Sequence, residues 1–179
     1  MAINVNNLQA STSQDKIPAI KYRIYCAKKM DIDWDKWDKA TDGVIKKLPI
    51  LAGKCCSYID CQANSVKPNA ATVGEVAPQG QLTINCSYEG ITPEALQFIY
   101  NNNGEEFVVI WENCLTGKKF IAGSPCSCLR LSYESLGVID DWQGANLKFV
   151  GAACPDPFWF WRATAGFQSA TTYIRPAPA

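Results

Sequence analysis

The chain has 179 residues, 47% of them hydrophobic, which suits one domain with a real core and excludes wholesale disorder. Lys+Arg and Asp+Glu number 17 each, and this zero net charge excludes a nucleic-acid binder that works through a broad basic field. No run of about 18 apolar residues occurs, so no membrane-spanning helix and no membrane insertion are expected.

Residues 1–18 are polar, rich in Asn, Ser and Gln, and end at Pro18, which predicts an extended N-terminal arm. They lack the basic start and apolar stretch of a secretory signal, so a cytoplasm is the expected site of synthesis. Residues 19–179 read as a single β-rich domain. "IKYRIYCA" alternates Ile20, Tyr22, Ile24 and Cys26 against Lys21, Arg23 and Tyr25, the period of a half-buried strand. "DIDWDKWDKATD" sets Asp31, Asp33 and Asp35 at positions 1, 3 and 5 of a calcium loop, with Asp42 at position 12. Lys36 stands where that loop wants glycine, and the last ligand is the shorter Asp. Trp34 and Trp37, three apart, point instead to a short amphipathic segment with solvated Asp and Lys, and no metal is expected.

"GVIKKLPIL" and "KCCSYIDC" predict two further short strands, and 62–80, punctuated by Pro68, Gly74, Pro78 and Gly80, predicts a long loop. "QLTINCSYEG" places Leu82, Ile84, Cys86 and Tyr88 on one face of a strand. A helix follows, with Thr92 as N-cap, Pro93 at its first position and Glu94 in its first turn. Leu96, Ile99 and Tyr100 are its expected apolar stripe, and Asn103-Gly104 its end. "FVVIWE" and "KKFIAG" predict a hairpin across "NCLTG". "CSCLRLSY" and "ANLKFVGA" are strands separated by "GVIDDWQG" as a connection. The expected fold class is mainly β, a β-sandwich or open barrel with one short flanking α-helix.

Nine cysteines and no histidine shape the chemistry. The odd count and missing export signal argue against a disulfide framework, and the absence of Cys-x2-Cys argues against zinc. Reduced cysteines as small apolar fillers are the simpler reading. Without histidine the commonest general base is missing, so no enzyme, catalytic residue or cofactor is expected. Phe158, Trp159, Phe160 and Trp161 follow one another, and in a strand they would put large rings on both faces. That favours a strand buried between its own domain and a neighbouring copy. The alternative is a single-chain sandwich whose second sheet or N-terminal arm covers the outer face.

The ordered pattern from Gly80 to Trp161 comprises a Gly-opened strand, "TPEALQFIYNNNG", "FVVIWENCLTGKKFIAG", "LRLSYESLG" and "GANLKFVG". It is similar to tail tube proteins (major tail proteins) of long-tailed bacteriophages and to related virion structural proteins. The resemblance implies a homo-oligomeric ring, commonly a hexamer, stacked with other rings into a tube through which DNA passes without sequence-specific binding. It implies location in the virion beside other virion proteins, after assembly in a host bacterial cytoplasm. Phe158, Trp159, Phe160 and Trp161 are then the expected subunit interface, and Val66, Val73 and Val76 reach the next ring. Glu105, Glu106, Asp140 and Asp141 are the lumen candidates, although no distinct acidic face is legible. Alternatives are a head–tail connector, ring or tail-completion protein, or a carbohydrate- or partner-binding β-sandwich stacking ligands on Trp111 and Trp142.

Overall fold

The computed structural model describes residues 23–37, 44–45, 48–74, 79–112, 119–139, 141–153 and 159–161, with the side chains of 79, 153 and 159–161 outside that description. The predicted N-terminal arm lies outside the described residues. Ten strands and one α-helix follow in chain order: β1 (Arg23–Lys28), β2 (Val44–Ile45), β3 (Ser57–Asp60), β4 (Lys67–Val73), β5 (Gln79–Glu89), α1 (Pro93–Asn102), β6 (Glu106–Glu112), β7 (Lys119–Ala122), β8 (Leu129–Ile139), β9 (Trp142–Ala153) and β10 (Trp159–Trp161). The described residues are mainly β with a single short α-helix, as the alternating runs predict, and their sheet is not a closed barrel.

The sheet forks at β6. β1 takes one edge of this strand through Tyr25↔Ile110 to Lys28↔Phe107. The other edge is shared, with β7 pairing Val109 to Glu112 and β8 pairing Glu106 and Phe107. From the fork one arm runs β7-β10-β2 and the other β8-β9-β5-β4, while β3 extends the sheet beyond β1. Pairing is antiparallel except between β10 and β2. A methyl group at Gly123, directly after β7, would come within 3.1 Å of the Val108 Cα of β6, and the backbone there has φ +109°, so only glycine lets the chain leave β7 this close to β6.

Both faces of β6 are buried. Phe107, Val109 and Trp111 join a large cluster with Ile24 and Cys26 of β1, Leu82, Ile84, Cys86 and Tyr88 of β5, and Leu147 and Phe149 of β9. One core therefore draws on both arms, in the manner of a sandwich. Val108 and Ile110 face the other way, into a second cluster with Ala27, Ile32, Ile45, Cys56, Ile121 and Cys128, against which Trp34, Trp37, Leu48 and Ile50 pack. The segment after β1 makes this cover with two single-turn 3-10 helices, Lys29–Asp31 and Trp34–Lys36, and an Ile32↔Ile50 bridge. The two tryptophans rest 5.1 Å apart, as the amphipathic reading of that segment expects.

Three expectations need correction. Residues 67–73, read as part of a long loop, form β4, held by seven register pairs to β5. "GVIDDWQG" is not a connection but the tip of the β8–β9 hairpin, whose pairing runs on to Ile139↔Trp142. The helix starts where predicted, with Thr92 Oγ1 accepting from Ala95 N at 3.2 Å, yet its buried stripe is Ala95, Phe98, Ile99 and Asn102. Tyr100 is 64% exposed. Asn102 tolerates burial because its Nδ2 donates to the Phe98 carbonyl at 2.7 Å. Thr92→Ala is expected to lower stability by about 1 kcal/mol, read as a shift in the urea midpoint with unchanged slope.

Candidate assembly surface

Among the described residues, β2, β3 and β4 each pair along one edge only. β4 differs from the other two in that all seven of its residues are exposed. Pro68 and Ala70 lie in register with Ile84 and Leu82, which are buried, so β4 carries the sheet outward past the rim of the core. Its stability comes from the ladder to β5 and hardly at all from apolar burial. Lys67 and Pro68 blunt the start of the open edge, since charge and a missing N–H both discourage pairing. Asn69 to Val73, "NAATV", has small uncharged side chains and a row of backbone groups that no strand among the described residues pairs. Such a row is a template for another strand.

Val73 is 43% exposed at the end of β4. Val66, by contrast, packs against the main core, and Val76 lies outside the described residues. Of the aromatic quartet, Trp159 to Trp161 form β10, and both backbone edges of that strand are used inside the chain, by β7 and by β2. Phe158 and the side chains of the other three lie outside the description. The neighbouring β7 sends Ala122 into the main cluster and Ile121 into the second. Both faces of β6 and β7 thus have cover from the same polypeptide, so bulky residues on two faces do not by themselves require a second copy.

The acidic candidates do not converge. Glu106, at the start of β6, accepts from Lys29 Nζ at 2.6 Å and lies 3.8 Å from Arg130 Nη2, so two cations flank it. That hydrogen bond raises the Lys29 pKa. Glu105 is exposed beside it, whereas Asp141 sits at the far end of β8, and Asp140 lies outside the described residues. Two aspartates of the calcium motif, Asp33 and Asp31, are likewise engaged by lysines, and Asp42 lies outside the described residues. Asp33 accepts from Lys36 at 2.6 Å, which holds its carboxyl below the usual range, and Asp31 pairs with Lys54 at 3.2 Å. Among the described residues no group of three or more His, Cys, Asp or Glu side chains is placed to hold a metal ion.

Sequence reasoning missed one concavity, an open cleft of about 540 Å³ lined by Lys29, Met30, Ile32, Trp34, Glu106 and Arg130, among others. Its walls come from segments distant in sequence, so no local motif announces it. Trp34 is fixed there by donation from Nε1 to the Lys29 carbonyl at 2.9 Å. The stacking platform proposed on Trp111 is overturned: this ring is 8% exposed and stacks on Phe120 at 5.6 Å inside the protein. Trp142 is half-buried.

The seven described cysteines are free thiols, and Cys26, Cys56, Cys61, Cys86 and Cys128 are buried. Burial pushes the thiol of Cys56 up to about 12 and that of Cys128 to about 11, and raises Cys26 further. These groups stay neutral and behave as small apolar fillers. Cys114 and Cys154 lie outside the described residues.

No family model matches the chain, and no curated protein or solved structure matches it either. Among the described residues no helix is long and apolar enough to cross a membrane.

Proposed function

We propose that this chain is a structural subunit of a bacteriophage virion, most simply a tail tube protein that assembles into stacked rings around a DNA-conducting channel. The observation that supports this reading is β4, a strand exposed at all seven positions, with an open edge that is uncharged from Asn69 to Val73. A strand held out from the core gives its own domain little apolar burial, and its second edge, which no strand among the described residues pairs, suits pairing with a second copy. The order of elements from Gly80 to Trp161, similar to that of tail tube proteins, supplies the kind of assembly. Zero net charge agrees with passage of DNA without adhesion.

Negative-stain imaging and sedimentation of the full chain test the proposal. Rings or tubes are expected. Isolated rings that never stack would indicate a connector or completion ring in place of a tube, and a monomer at every concentration would overturn the assembly reading. The double variant Ala71→Lys, Val73→Lys puts two charges on the open strand at exposed positions. It is expected to fold normally and to raise the concentration needed for assembly about tenfold or more.

A further inference from the structure

The crossover from β3 to β4 brings two thiols together. Cys61 directly follows β3, which extends the sheet beyond β1, and Cys86 lies within β5, in the arm that runs β8-β9-β5-β4. The next residue of each chain segment is locked to the other, with Gln62 N donating to the Ser87 carbonyl at 2.7 Å. Ser65 Oγ then accepts from Ser87 N at 3.1 Å, which fixes the turn over the pair. Inside, both cysteines belong to the main core and are buried as free thiols. Cys61 Sγ donates to the Ile59 carbonyl at 3.7 Å. Cys26 of β1 lies in register with Ser57, four residues before Cys61, whereas the Gln62–Ser87 bond sets Cys86 directly beside Cys61.

We propose that Cys61 and Cys86 are a latent disulfide site, reduced in a thiol-rich cytoplasm and closed by a small-molecule disulfide such as oxidised glutathione when the protein leaves it. The exchange runs in two steps. With the 62–66 turn open, the Cys61 thiolate attacks one sulfur of oxidised glutathione, forming a mixed disulfide and expelling one glutathione thiolate. The Cys86 thiolate then attacks the Cys61 sulfur, forming the Cys61–Cys86 bond and expelling the second. Two protein protons and two electrons end on two molecules of reduced glutathione. The opening is needed because the neighbouring Cys86 and burial hold the Cys61 thiol neutral in the closed fold. The bond closes a loop of about 25 residues and ties the end of β3 to β5, adding a covalent link beside the Gln62–Ser87 hydrogen bond.

The test uses the full chain, incubated with oxidised glutathione in urea below the unfolding midpoint, returned to buffer, alkylated and mapped by mass spectrometry without reduction. The peptide holding Cys61 is expected to be joined to that holding Cys86, with the loss of two hydrogens. The melting temperature is expected to rise by about 5–10 °C and to fall back on reduction. Cys61→Ala should abolish the rise and Cys26→Ala should keep it. The proposal is overturned if Cys61 and Cys86 are both alkylated after oxidation, if either is bridged mainly to another cysteine, or if the bridged protein melts no higher. Mapping of the unsubstituted chain decides the matter even where a variant does not fold.

Discussion

Phe149→Ala is expected to lower the unfolding free energy by about 3–5 kcal/mol, the range for deleting a fully buried phenyl ring. Phe149 has no exposed surface and sits midway along β9, in register with Ile84 of β5 and Leu131 of β8, both of them buried. Its ring meets Phe107 edge-on, with centroids 6.0 Å apart and planes at 88°, so the loss includes an aromatic pair as well as apolar area. Because ladders hold β9 on both edges and β6 has its second face filled, the surroundings cannot collapse into the void. Urea denaturation should show a lower midpoint and an unchanged slope, and the melting temperature should drop by about 10 °C or more. Phe149→Leu keeps most of the volume and should lose only about 1–2 kcal/mol. A loss below about 1 kcal/mol for the alanine variant would mean that the two arms do not share one core.

Sequence patterns exposed those parts of the fold that bury one face. In β5, Leu82, Ile84, Cys86 and Tyr88 alternate with partly exposed neighbours, and all four are buried as read. Thr92-Pro93 fixed the helix start through local chemistry alone. The buried stripe shares only Ile99 with the expected one and takes in Asn102, a polar residue whose burial only the bond to the Phe98 carbonyl explains. β4 had no hydrophobic period to find, since pairing and not burial makes it a strand. In the β8–β9 hairpin a register shift between Tyr133 and Ser135 breaks the alternation, which hid the continuation past Tyr133. The open edge of β4 was illegible for a related reason: whether a strand lies inside or at the rim of a sheet depends on partners far along the chain. Lys29 and Glu106, paired across 77 residues, hid the neutralised acid in the same way.

Gly144→Ala should be nearly as damaging as loss of the Phe149 ring, at about 3 kcal/mol, for the opposite reason. Space and not backbone angle requires glycine here. Gly144 is buried in β9, paired with Glu89 of β5 and Gly137 of β8. A methyl group at this position would run into the Tyr88 carbonyl oxygen and into the ring of Trp142. The indole is a side chain and can swing away. The Tyr88 carbonyl belongs to the β5 backbone and cannot yield without pulling the β5–β9 ladder apart, so part of the strain has no outlet. Adding Trp142→Ala to Gly144→Ala should therefore restore only a fraction of the lost stability, which a thermal or urea melt of the two variants side by side would measure. Full recovery in the double variant would place the whole conflict at the indole, and an unperturbed single variant would show that β5 and β9 are not held this close at their Tyr88 end.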